Sequence, residues 1–527
     1  MIRLERKKKL ILLPFCVGLI LLFIAWYQSY PLSLDSHFDF PFNHISPLYW
    51  IGLPVLLVAF YVIADIGNDT VKCVAVMGVV MSMYSLSYFY YLLPGSDSHF
   101  ARGLTEHFII TGDLNPSHAY RGYFQWPFLF ILGNMATALL GLELKYFEFM
   151  LYATMGFLYS ASLYVYFSKI CRVSGYIAVI AFFIMLRWQF NYQFAPFSLC
   201  MALLFLLFMI ESHVTMNREA TLTTLIIFAS MTFIHPFVSM FFVLYTLVKY
   251  LLSRKKRYMT LFVLTSIIYL TVLIFFTAYF PTAIKHLARI SQEQYSEYAQ
   301  RLTVEPAAPL DAIAQMFTSA VLISTVIISG LGFIILLLGR KFRSTDHAIL
   351  ISGAMYAVAG AFFPILGFRS FPVVAIPVAF GATYWRSRFK RSYKYLLLIL
   401  IILFTFVPLH QSYSWKWFQT RDDYQSANFF IEFYNLSEPE RILSYVTVNG
   451  YLQPRMSDIE VFESGYYFPP RDVKTYHCIL YTAGLAKTFL SWNYSLDTTT
   501  DEIEKNFNLI FSSDSSFIAI NMKRNER

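Results

Sequence analysis

The sequence predicts a mainly α, polytopic membrane helical bundle of about 13 crossings, followed by a small α+β extracytoplasmic C-terminal domain. Three features carry that expectation. Apolar runs of about 18 to 25 residues recur along most of the chain, the length that about 30 Å of hydrocarbon demands of a helix rising 1.5 Å per residue. Short basic clusters separate many of these runs, which is how a membrane protein fixes its orientation. From about residue 411 acidic residues become frequent among aromatics, so the solvent changes there.

Composition agrees. Hydrophobic residues make up 57% of the chain, charged residues 14%, and the mean hydropathy is +0.53. That leaves too little polar surface to coat a soluble globule of 527 residues. The net charge of +9 does not point to nucleic acid, because the basic residues form loop clusters and not a stripe on one folded face.

The N-terminal stretch Arg3 to Lys9 followed by an apolar run to Trp26 has the charge pattern of a signal sequence. No A-x-A-like cleavage site follows at Trp26-Tyr27-Gln28-Ser29, so an uncleaved signal anchor is expected. Further apolar spans are expected at about 48 to 65, 71 to 93, 124 to 142, 147 to 167, 174 to 188 and 195 to 210. Others follow at about 219 to 234, 237 to 252, 258 to 280, 313 to 338, 346 to 366, 371 to 385 and 393 to 409, about fourteen candidates in all. Together they form a transmembrane unit over residues 1–410.

Orientation follows from Arg3 to Lys9, Arg254 to Arg257, Arg340 to Arg343 and Arg386 to Arg391, all expected in the cytoplasm. An inside start and an outside end need an odd number of crossings, so one candidate span fails to cross. The failing span is expected within 124–167, because Lys169 and Arg172 suit the cytoplasm. Residues 94–123 and 281–312 are too polar to span and too apolar for simple loops; amphipathic helices in the outer interface fit both. An uncleaved anchor suits a prokaryotic cell membrane, where this integral protein is placed, as well as an endoplasmic reticulum.

The segment 411–527 is expected to be an extracytoplasmic soluble α+β domain. Strands are expected at Ile442 to Val448, Cys478 to Thr482 and Phe517 to Ile520, and a helix at Tyr424 to Phe433. Of the five cysteines only Cys478 falls in this segment, so the segment closes no disulfide within itself and depends on core burial.

The most informative polar stretch runs from Pro94 through Gly95, Asp97, His99 and Arg102 to Glu106 and His107. It continues through Gly112-Asp113 and Tyr120-Arg121-Gly122-Tyr123 to Trp126-Pro127. It follows an outward-running helix, and a carboxylate half out of water at the interface can accept a proton from a sugar hydroxyl. Asp97 is therefore the expected general base. Ordinary solvated interfacial residues are the plain alternative.

A chain that leaves an early helix through Gly95, Asp97 and Arg102, then runs through a short interfacial helix to Gly112-Asp113 and an aromatic-Pro entry at Trp126-Pro127, resembles the GT-C superfamily of integral membrane glycosyltransferases. The resemblance covers the membrane layout and the outer tail, and only the Asp97 loop carries it at motif level. It implies an acidic outer-loop residue that activates the acceptor, and a donor sugar carried on a polyprenyl phosphate. Two departures stand out. Many members pair acidic residues in that loop, whereas Ser98 follows Asp97; and the loop here is the second outer loop. The first outer loop repeats the letters Asp-Ser-His-Phe at 35–38 and adds Asp39. Asp35 or Asp39 is thus the alternative base, with Asp97 preferred because an interfacial helix and a Gly-Asp follow it.

The resemblance implies a leaving lipid phosphate, which needs a cation at membrane depth. Arg369, in the Gly367-to-Pro372 loop at the outer end of two spans, is the first candidate, with Arg102 and Arg121 behind it. Snorkelling to headgroups is Arg369's ordinary alternative. His99, Glu106, His107, Asp113, Tyr120 and His235 are the expected substrate-binding residues. His235-Pro236 splits a long apolar stretch on the outer side, a position a plain turn also explains. A divalent cation remains unassigned: Asp97, His99, Glu106, His107 and His118 have suitable ligand atoms, but no His-x-x-x-His pair or paired acids fixes a site, and members of the superfamily differ in needing one. The partners implied are a polyprenyl-phosphate-linked sugar, a glycan, lipid or protein acceptor, and membrane lipids. The rival function is a polytopic transporter or lipid or oligosaccharide flippase, against which stands the lack of inverted halves with matching broken helices.

Overall fold

The computed structural model describes residues 2–32, 41–66, 68–90, 93, 96–112, 127–171, 175–186, 194–213 and 217–276, shorter stretches between 320 and 383, then 393–413, 421–433 and short segments between 441 and 521. Helices α1 (Ile2–Ser29), α3 (Pro47–Ile66) and α4 (Asp69–Tyr84) open the body, with the one-turn α2 (Pro41–His44) between the first two. After α5 (Ser96–Thr111) come α6 (Phe128–Leu140), α7 (Leu144–Cys171), α8 (Gly175–Leu186) and α9 (Pro196–His213). Helices α10 (Arg218–Ile234), α11 (Pro236–Ser253) and α12 (Lys256–Thr271) complete the first half. Later in the chain, α13 (Tyr393–Tyr413) and α14 (Arg421–Phe433) follow.

Among the described residues six helices are long and apolar enough to cross a membrane, or seven if one bent pair counts as a span. That fits an integral membrane protein. The bent pair is α6 and α7, which meet at 117° across a three-residue break. Gly141 makes the turn possible with φ of 63°, a left-handed conformation that costs glycine nothing. With 13 residues, α6 rises only about 20 Å, short of the hydrocarbon thickness. The pair forms a broken span or re-entrant element overlapping 124–167, the region where the sequence leads one to expect a run that does not cross.

Close backbone approach packs the first helices. A Cβ on Gly18 of α1 would sit 2.8 Å from the Leu56 nitrogen of α3, and one on Gly52 would press 2.9 Å from Leu21. Small residues at such crossings let dispersion act between helices where no hydrophobic drive is available. Helix α8 is buried along all 12 of its residues. An apolar helix of that length, hydrophobic on every side, belongs to the centre of a bundle. Buried tyrosines tie helix to helix through backbone carbonyls: Tyr84 donates to Phe183 at 3.5 Å, Tyr152 to Tyr84 at 3.2 Å and Tyr159 to Ser198 at 2.6 Å. The break expected at His235-Pro236 is present, with α10 ending at Ile234 and Pro236 in the first turn of α11.

After α14 a five-stranded mixed sheet forms from β1 (Arg441–Ser444), β2 (Val461–Ser464), β3 (Cys478–Tyr481), β4 (Phe507–Ser512) and β5 (Phe517–Asn521), in the order β2-β1-β3-β5-β4. Strand β1 runs parallel to β2 and β3; β5 runs antiparallel to β3 and β4. Cys478 and Ile479 at its centre, with Ile518, are fully buried, and α14 packs on β5.

Candidate active site

Helix α5 forms within 94–123, where the sequence leads one to expect an interfacial helix. Its last turn is exposed, with Ile109 at 38% and Ile110 at 66%. Its first three turns bury Ser98, His99, Ala101, Arg102, Leu104 and Thr105. Asp97 occupies the first turn of the helix by its backbone; its side chain lies outside the described residues.

The bent pair cradles this helix. From α6, Gly133 comes so close that a Cβ there would sit 2.7 Å from Thr105 Cγ2. From α7, Glu148 takes the fork of Arg102: Nε donates to Oε1 at 2.9 Å and Nη2 donates to Oε2. Their side chains are 3% and 1% exposed, so the pair is shielded from water. Burial works against the Arg102 charge, but Glu148 beside it, with Glu106 and Tyr424, outweighs that and raises the guanidinium's proton affinity above its ordinary value. The guanidinium also lies 5.8 Å from the centre of the Tyr424 ring of α14, whose hydroxyl donates to Glu106 Oε1 at 3.2 Å.

A second contact joins α5 to the break between α10 and α11. The Phe194 N–H donates to Ser98 Oγ at 3.1 Å, and three residues on, the Phe197 ring stands edge-on to His235 with centroids 5.3 Å apart. The segment 194–197 therefore brings His235, itself buried, to the same end of the molecule as α5. His99 is buried on α5, while Glu106 and His107 are half-buried.

Several expected residues fall outside the described residues: Asp35, Asp39, Asp113, His118, Tyr120, Arg121 and Arg369, together with the 281–312 segment. Among the described residues no group of three or more histidines, cysteines and acids stands close enough to hold a metal ion. Glu148 is the participant that sequence reasoning passed over. It sits in an apolar span, where an ionisable side chain is itself a signal.

Among solved structures the chain is similar to the oligosaccharyltransferase of Archaeoglobus fulgidus, crystallised with Zn and sulfate. At 12% identity the TM-score is 0.50, over 85% of this chain and 73% of that one. The chain has a GT-C-like fold. No family model and no curated protein sequence matches it. The likeness is thus one of architecture, carried by backbone layout and not by shared side chains.

Proposed function

We propose that this chain is a membrane glycosyltransferase that moves a sugar from a polyprenyl-phosphate donor to a glycan, lipid or protein acceptor at the outer membrane face. The observation that carries the proposal is the clamped helix. Asp97 opens a helix that a buried ion pair fixes against a bent membrane element, in a body folded like an oligosaccharyltransferase. Catalytic groups need that kind of rigid support.

In the proposed reaction the Asp97 carboxylate takes the proton of an acceptor hydroxyl. The acceptor oxygen bonds to the anomeric carbon, the bond from that carbon to the phosphate oxygen breaks, and the lipid phosphate leaves with the electron pair. Arg369 and Arg121 are proposed to meet that charge. Arg102 is assigned to holding α5, since its fork already engages Glu148. His99, His107, Asp113, Tyr120 and His235 are proposed to border the substrates. The segment 411–527 is proposed as an outer domain that holds the acceptor, with the N-terminus in the cytoplasm of a prokaryotic cell.

The test is a transfer assay in membranes with a panel of polyprenyl-phosphate sugars. Asp97→Asn should insert and fold as the parent does while losing transfer; Asp35→Asn and Asp39→Asn should keep it. Arg369→Ala should raise the donor KM, with partial recovery in Arg369→Lys. Full activity in Asp97→Asn moves the base elsewhere. A parent protein that transports lipid-linked sugar without transferring it overturns the proposal.

A further inference from the structure

Helix α14 touches two bodies at once. One side packs on β5, with Ser426, Ala427 and Phe430 buried, while Gln425 and Glu432 remain exposed. Tyr424, one turn before the buried Ala427, contacts α5. Its hydroxyl donates to Glu106 at 3.2 Å, and its ring lies over Arg102, one turn earlier on α5, at 5.8 Å. Arg102 in turn grips Glu148 of α7. The sheet, α5 and the bent pair are thereby joined through four side chains, three of them charged. A phenol bridging a carboxylate and a guanidinium couples two elements more firmly than apolar contact does, because both of its contacts are charge-assisted.

We infer that Tyr424 and Glu106 form a latch that docks α14 onto α5 and so makes Tyr424 a positioning residue for Asp97, linking the outer sheet unit to the catalytic helix. The inference rests on the proposed transferase activity for its kinetic consequence, but not for the latch itself. Glu106, expected from the sequence to bind substrate, is reassigned here to the latch because its carboxylate already accepts from Tyr424; loss of the latch then lowers kcat and leaves the acceptor KM near its parent value. A hydrogen bond to a charged acceptor is worth roughly a tenfold change in an equilibrium.

The experiment compares Tyr424→Phe, Glu106→Ala, Glu106→Gln and the Tyr424→Phe/Glu106→Ala double variant in reconstituted membranes. Tyr424→Phe and Glu106→Ala should each lower kcat about tenfold with the acceptor KM within about twofold, and the double should be no worse than either single. Glu106→Gln keeps an oxygen acceptor for the hydroxyl and should recover most of the rate. Amide hydrogen exchange across residues 421–433 should rise in both single variants and return toward the parent level in Glu106→Gln. Additive losses in the double, or an unchanged kcat in Tyr424→Phe, overturn the positioning role. If the parent transfers no sugar, the transferase proposal fails by itself, and the exchange data still decide the latch: unchanged exchange in 421–433 overturns it.

Discussion

Arg102 and Glu148, 46 residues apart in sequence, form a two-pronged ion pair buried from water on both sides. It holds α5 to α7, the second helix of the bent pair. Neither charge could occupy that position alone, since an unpaired ion in a dry site loses its hydration without compensation.

Removing one member should therefore cost far more than removing both. Arg102→Leu or Glu148→Leu should each destabilise the folded protein by about 3–5 kcal/mol, the usual consequence of stranding a buried charge. The Arg102→Leu/Glu148→Leu double should recover most of that loss. Thermal unfolding of the detergent-solubilised protein, arranged as a double-mutant cycle, checks this, and additive penalties would refute the pairing.

The contact between α5 and α6 makes a steric prediction. Gly133→Val would drive a side chain into Thr105, where even a Cβ sits 2.7 Å from Cγ2. Overpacking of that kind typically costs about 1–3 kcal/mol. Thr105→Ala in the same chain removes the colliding methyl and should restore the lost melting temperature. No rescue would mean that the two helices are not held at this distance.

The parts of the fold that were legible in sequence share a local signature. The break at His235-Pro236 follows from one proline's geometry, and the strands at Ile442, Cys478 and Phe517 stand out as short runs rich in apolar and β-branched or aromatic residues. These three strands are the inner strands of the sheet. The two that escaped notice, Val461–Ser464 and Phe507–Ser512, are its edges, and Glu463, Ser464, Asn508 and Ser512 dilute their pattern as edge strands require. For the site, the helix bearing Asp97, His99 and Arg102 could be read from the loop's amphipathic character. Its partners could not. Glu148 hides in an apolar run, and Tyr424 lies 318 residues from Glu106; no periodicity spans such separations.

A second buried charge cluster ties α9 to α11 and α12. Glu211 accepts from Lys249, from Tyr245 at 2.9 Å and from Tyr258 at 2.7 Å, and Arg257 donates to the Tyr258 hydroxyl at 2.7 Å. Lys249→Met leaves a buried carboxylate with only neutral donors and should cost about 3–5 kcal/mol. Tyr258→Phe removes one of several bonds and should cost about 1–2 kcal/mol. Thermal melts of the two variants should keep that order; a Tyr258→Phe loss equal to that of Lys249→Met would show that the phenols, not the ion pair, hold these helices.

Orientation is open to a direct check with single cysteines in a chain whose native cysteines are replaced by alanine. Glu432 is exposed on α14, and Lys255 is exposed between α11 and α12. Basic clusters stay in the cytoplasm, so Lys255→Cys should react with a membrane-impermeant maleimide only after cells are permeabilised. Glu432→Cys should react in intact cells. Since Tyr424 of the same helix bonds Glu106, labelling at Glu432 also fixes the side on which α5 and Asp97 stand. Protection of Glu432→Cys in intact cells would put that helix in the cytosol, where the proposed outer-face transfer has no place.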